Sequence, residues 1–116
     1  MNLEEVHIFC TSLPHVEATT PFGPDVVAYK VGGLMFACIS LDRPEWVTVK
    51  CDPVMAIELR EQHRGIEPAW HFNKKHWNQI NLTGSIHKEM IEQQILNSYD
   101  LVVAKLPRAT RILLEL

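Results

Sequence analysis

No stretch of the 116-residue chain approaches the ~20 consecutive apolar residues that a bilayer-spanning helix requires, so no membrane-spanning helix is expected. Basic charge is also scarce. Eleven Lys and Arg are outweighed by fourteen Asp and Glu, for a formal charge of −3. That balance excludes the strongly basic surface on which dedicated nucleic-acid-binding domains depend, so any contact with DNA must use a local patch and be weak. Three cysteines, Cys10, Cys38 and Cys51, form neither an even framework nor a C-x-x-C pair. They point to a reducing compartment and read as small core residues. The five glycines include no phosphate-cradling loop, because Gly32-Gly33 opens a strand and not a helix. The start, Met1-Asn2-Leu3-Glu4-Glu5, is acidic where a secretory signal is basic, and a cytoplasmic location is expected.

What is present suits one compact domain. Apolar residues make up 47% and charged residues 22% of the chain, close enough to globular averages to exclude disorder and fibrous architectures. No repeat or linker divides residues 1–116. Leu3, Val6, Cys10 and Leu13 recur at helical spacing up to Pro14. From Val16 the period becomes that of strands. A weak strand over Val16 to Thr20 precedes the turn Pro21-Phe22-Gly23-Pro24-Asp25. Val26 to Val31 and Leu34 to Leu41 form a hairpin around Gly32-Gly33, and a connection over residues 41–45 leads to a strand from Trp46 to Cys51. Asp52-Pro53 caps and opens a helix with Met55, Ala56 and Leu59 inward, and Gly65 is its expected stop. Two short strands flank Asn73-Lys74-Lys75. A final helix, capped by Ser85, carries the stripe Ile91, Ile95, Tyr99, Val102 and Leu106 and breaks at Pro107. The tail, residues 106–116, is apolar enough that docking on the domain or on a second copy is expected, the latter giving a homodimer. Segregated elements of this order predict an α+β two-layer sandwich: a mostly antiparallel sheet with the N- and C-terminal helices on one face.

Strand alternation then describes the uncovered face. With Val47, Val49 and Cys51 inward, Trp46, Thr48 and Lys50 face out. With Ile80 and Leu82 inward, Trp77, Gln79 and Asn81 face out. In the hairpin, Val26, Ala28 and Lys30 oppose Val27, Tyr29 and Val31. Flat aromatics beside donors and scattered positive charge suit stacking on a base or holding an anion. An ordinary solvated sheet face accounts for the same residues.

Several of these stretches occur in an order and spacing that resembles the MmcQ/YjbR family: Pro21-Phe22-Gly23-Pro24, Lys30-Val31-Gly32-Gly33 with Met35-Phe36-Ala37, Lys50-Cys51-Asp52-Pro53, Pro68-Ala69-Trp70, Asn73-Lys74-Lys75-His76-Trp77, and Ser98-Tyr99-Asp100-Leu101-Val102. The resemblance implies a frataxin-like (CyaY-like) fold and a DNA-binding label. The residues it carries over are Lys50, Pro53, Asn73, Lys74, His76 and Trp77, none of them catalytic. Joined with the reading of the face, the expected nucleic-acid or ligand-binding set is Lys30, Lys50, Asn73, Lys74, Lys75, His76 and Trp77. The expected alternative is a small anionic ligand or a protein partner on the same face.

No enzyme is expected. The six histidines lack a carboxylate or thiol that completes a tetrahedral set, so no metal or other cofactor is predicted. Ser98 reads as a small residue that lets the last helix pack closely. Cys51, near a helix N-terminus, is the one thiol whose pKa that position would lower, but no base stands beside it.

Overall fold

The computed structural model describes residues 1–116 and runs α1 (Leu3–Ser12), β1 (Val16–Thr19), β2 (Val26–Val31), β3 (Leu34–Ser40), β4 (Arg43–Lys50), α2 (Pro53–Gln62), β5 (Ile66–Pro68), β6 (Trp77–Asn81), α3 (Lys88–Lys105) and α4 (Arg108–Leu114). The six strands make one antiparallel sheet in the order β1-β2-β3-β4-β6-β5. The α+β architecture with an antiparallel sheet is therefore as the alternation and element order predicted. No helix is long and apolar enough to cross a membrane.

Local signals account for most boundaries. Asn2 caps α1 through a reciprocal pair: its Oδ1 accepts the Glu5 N–H at 2.8 Å while Glu5 Oε1 accepts the Asn2 N–H at 3.1 Å. Asp52 accepts the N–H groups of Val54 and Met55, each at 3.1 Å, and Pro53 opens α2 where a missing N–H costs nothing. Gly32 and Gly33 take φ of +57° and +83°, as the two-residue hairpin loop requires. Gly32 also lies against Leu106, whose Cδ2 is 2.6 Å from where a Cβ would stand. Glycine there both makes the turn and lets the end of α3 seat on it.

Register assigns the two faces. Val27, Ile39, Val47, Ile80 and Ile66 lie opposite one another across the sheet, and Tyr29, Ala37 and Val49 do the same one row on. All of these but Val27, which packs against it partly buried, join Val6 and Cys10 of α1, Ala56 and Leu59 of α2 and Ile91, Ile95, Tyr99 and Val102 of α3 in one cluster of 20 buried residues. Full burial of such side chains is worth about 1.5–3 kcal/mol each, so this layer dominates stability. Tyr99 adds an edge-on contact with Phe36 at 5.3 Å and donates its hydroxyl to Pro14 O at 2.6 Å, fixing α3 to the end of α1.

α3 is tied in at a second point. Tyr29 pairs with Ala37 but Lys30 pairs with Met35, leaving Phe36 as an extra residue in β3. The β3–β4 ladder ends at the Ala37–Val49 pair. Beyond it, the fully buried Ser98 hydroxyl stands between the strands, accepting the Lys50 N–H at 2.8 Å and donating to Phe36 O at 2.5 Å.

Four expectations about local structure are corrected. β4 begins at Arg43, so no long connection precedes it. Instead Ser40 pairs with Arg43 while Ile39 pairs with Val47, and Pro44, Glu45 and Trp46 bulge without partners on β3. Pro44 has no N–H to leave unpaired there. Met55 is 46% exposed, and Ala56 and Leu59 alone bury the inner face of α2. Gly65 is not the helix stop, since His63 ends α2 in an extended conformation; Gly65 makes room for Ile86, whose Cδ1 would meet a Cβ at 2.8 Å. Ser85 does not cap α3, which starts at Lys88 behind His87. Of the apolar tail, Leu116 packs on the core, whereas α4 leaves Ile112 and Leu113 65% and 81% exposed.

All three cysteines are buried, as expected. Burial pushes the Cys10 thiol up to about 12 and the Cys38 thiol up to about 11. Cys51 is raised as well, by burial and then by the Asp52 carboxylate, which outweigh Arg60 and the helix-end amide and reverse the lowering considered from sequence. Raised thiols tie stability to pH. Above the ordinary thiol value of 9.0 the unfolded chain releases a proton that folded Cys10 retains, so the folded state loses ground as pH rises, by about 1.4 kcal/mol per unit for one fully shifted group. Urea midpoints are therefore expected to fall steadily from pH 9 toward the Cys10 value of about 12 and to fall less steeply in Cys10→Ala. Equal alkaline slopes in the two proteins would remove this cause.

Candidate functional site

The sheet face opposite the helices carries a row of residues in register: Thr19, Ala28, Cys38, Thr48, Gln79 and Glu67. Cys38 and Thr48 in its middle are short and line the floor. Larger groups rise around them: Trp46 from β4, Phe22 from the β1–β2 turn, and Trp70 and Phe72 from the β5–β6 loop. Small floor and tall walls leave a cavity of about 500 Å³, closed further by Val26, Ser40, Asp42, Arg43, His71 and Gln79. This volume lies within the range of small-molecule sites, roughly 300–1,000 Å³. Phe22 and Trp70 stay 63% and 53% exposed despite their size, so the rim is apolar and open to solvent.

The walls are held by specific bonds. Gln79, buried in the floor, accepts the Trp70 N–H at 3.2 Å through Oε1 and donates to Glu67 at 2.6 Å through Nε2. The loop then turns through His71, whose φ of +65° is uncommon for a side chain with a Cβ. The Arg43 guanidinium carbon lies over the Trp70 ring, 3.7 Å from its centroid, a cation–π distance that holds the cation against the wall. No carboxylate of the chain pairs with it; the one salt bridge joins Lys88 to Glu5.

None of the seven residues singled out from sequence lines this cavity. Lys30 borders a separate cleft of about 260 Å³ with His15, Glu17 and Leu114. Lys50 stands opposite Trp77 in register, and its ammonium is held below the usual lysine range by burial and by a contact with Lys105. Asn73 builds the turn, its Oδ1 accepting the Lys75 N–H at 3.0 Å and its O accepting the N–H groups of His76 and Trp77. Lys74 Nζ donates to Ala69 O at 3.3 Å. Lys75 is exposed. His76 O accepts the Cys51 N–H at 2.7 Å and so extends the β4–β6 ladder. Trp77 packs on Phe72 with ring centroids 5.2 Å apart. The structure thus places Lys50 and Trp77 side by side with Lys74 and Lys75 in the adjoining turn, at the end of β6.

Sequence alternation did place Trp46, Thr48 and Gln79 on the open face. Arg43, Phe22, Trp70, His71 and Phe72 were missed. Three aromatics within turns were the available signal, since solvated loops seldom hold side chains of that size without a use.

Known proteins bear on the same arrangement. The family model YjbR matches residues 11–101. Uncharacterized protein YjbR of Escherichia coli K12 is 30% identical over 115 residues, 98% of both chains, and Uncharacterized protein YbdF of Escherichia coli O157:H7 is 34% identical over 92 residues, 78% of this chain and 75% of that one. The crystal structure of Deinococcus radiodurans protein DR2400, with its DUF419 domain, superposes with a TM-score of 0.92 at 33% identity, covering 98% of this chain and 88% of that one. A Pseudomonas syringae protein at 23% identity shares the fold with a TM-score of 0.75 over 87% of this chain and 98% of its own. A family match over most of the chain, with relatives alignable nearly end to end, makes the protein a member of the YjbR family.

Proposed function

We propose that this domain is a non-enzymatic binding module and that its ligand, a small molecule, occupies the cavity on the helix-free face. The observation that carries the reading is the pairing of a floor of short side chains with a preformed aromatic rim, because such concavity serves no purpose in packing the sheet. The groups at the cavity suit holding more than turnover. The Cys38 thiol, held near 11 by burial, stays protonated at neutral pH. Filling the floor is the direct test. Thr48→Phe is expected to abolish saturable ligand binding while keeping the far-ultraviolet dichroism and urea midpoint close to wild type, since the Thr48 side chain points away from the core. Ligand bound equally well by wild type and Thr48→Phe places the site elsewhere.

A second reading is supported by a different observation. Lys50, Lys105, Lys74 and Lys75 lie around the end of β6 beside Trp77, a local basic corner on an acidic protein. Weak nucleic-acid binding there, in the cytoplasm, remains part of our proposal. Neutralising two or three phosphates makes log K fall with log salt at a slope of about −2 to −3 on duplex DNA. The Lys74→Ala, Lys75→Ala pair is expected to reduce that slope by about one to two. A mobility-shift titration at low salt that retards neither duplex nor single-stranded DNA ends this reading and leaves the cavity untouched.

A further inference from the structure

Resting on the cavity reading above, we propose that the ligand is a planar aromatic ring bearing one anionic group, with the ring against the indole walls and the anion on Arg43. Arg43 carries the argument. Its guanidinium carbon lies over the Trp70 ring, 3.7 Å from the centroid, so the indole covers one side of the cation. The N–H donors around its edge have no carboxylate partner within the chain. A stacked guanidinium with its edge free is the arrangement that receives a carboxylate or phosphate through two parallel hydrogen bonds.

The alternatives fare worse on the same residues. A neutral apolar ligand would strip water from this cation and return nothing to it, which costs free energy. A cationic ligand would meet Arg43 directly. A flexible aliphatic acid would satisfy the guanidinium but leave Trp46 and Phe72 facing a chain that cannot stack. Asp42 also borders the cavity, beside Arg43 in sequence, and sets the limit on charge. Each further anionic group on a ligand adds repulsion from that carboxylate. Ser40 and Thr48 supply hydroxyls at the floor for polar atoms on the ring.

A carboxylate on an aromatic ring and the phosphate of a mononucleotide share this chemistry, and matched probes separate them. 2-Naphthoate is compared with 2-naphthamide, and adenosine 5′-monophosphate with adenosine, by calorimetry and by the indole N–H signals of Trp46 and Trp70 in the full chain. At least one anion is expected to bind about 10-fold or more tightly than its neutral partner, in line with a charge-assisted pair. Preference for naphthoate assigns the carboxylate class, and preference for the nucleotide assigns the phosphate class. Arg43→Gln is expected to erase the preference, so that anion and neutral partner bind alike, and Arg43→Lys to restore only part of it, because an ammonium lacks the fork. Equal binding of anion and neutral partner, or a preference that survives Arg43→Gln, overturns the anion assignment while the cavity reading stands. If none of the four probes moves the Trp46 and Trp70 signals at millimolar concentration, both readings fall together.

Discussion

Ser98→Ala is expected to lower the unfolding free energy by about 3–4 kcal/mol, although it removes a single oxygen atom. The hydroxyl is fully buried and serves two backbone groups, the Lys50 N–H at 2.8 Å and the Phe36 carbonyl at 2.5 Å. Those groups cannot bond each other, because β3 and β4 have already separated beyond Ala37 and Val49. Alanine leaves a donor and an acceptor without partners under α3, and each such loss costs about 1–3 kcal/mol. Ser98→Thr keeps the hydroxyl but adds a methyl where α3 touches the sheet, so an overpacking cost of about 1–3 kcal/mol is expected from that variant. Ser98→Cys, with a poorly bonding thiol, should resemble alanine more than serine. Urea denaturation of the three variants checks the order. A loss below 1 kcal/mol for alanine would mean that water or a strand shift rejoins the ladder.

That serine shows which links of the chain from sequence to structure are legible. Helix α3 was readable because Ile91, Ile95, Tyr99, Val102 and Leu106 repeat at a period set by helix geometry alone, and all five are buried. The glycine hairpin and the Asp52-Pro53 start were readable because each depends on a local conformational preference. Ser98 also sits on the stripe, and its smallness implied close packing. Its bridging role depended on a bulge at Phe36, which has no local signature.

The candidate site divides the same way. Period-two alternation put Trp46, Thr48 and Gln79 on the open face, and the structure has them there. Arg43 was hidden by the bulge at Pro44, Glu45 and Trp46, which brings it opposite Ser40 when alternation alone would leave it in a connection. Trp70, His71 and Phe72 lie in a loop, where no periodicity exists to assign a direction. The residues carried over by resemblance lie outside the cavity. Asn73 builds the turn through its Oδ1 and backbone O, His76 extends the ladder through its backbone O, and Lys74 donates to Ala69 O.

The tether of that loop gives the second large effect. Arg60, on α2, reaches across to the β5–β6 segment: its Nε donates to Asn78 Oδ1 at 2.6 Å, and a terminal nitrogen donates to the carbonyls of Lys74 and Trp77. Asn78 is almost fully buried and donates in turn to Ala56 O at 3.4 Å, so helix, strand and loop share one polar network. Arg60→Ala leaves Asn78 Oδ1 buried without a donor and frees the turn. A cost of about 2–3 kcal/mol is expected, the range of a lost charge-assisted bond plus a desolvated acceptor. Arg60→Lys should recover little, since an ammonium lacks the planar fork that reaches three acceptors at once. The consequence extends to the cavity, because Trp70 and Phe72 are walls carried by the loop that Arg60 holds. Arg60→Ala, at a temperature where it remains folded, is expected to weaken binding of an aromatic probe severalfold, although Arg60 lies outside the cavity lining. Greater amide hydrogen exchange over residues 70–76 should accompany the loss. If stability falls but probe affinity and loop protection do not change, Gln79 alone positions the wall, through its bond to the Trp70 N–H.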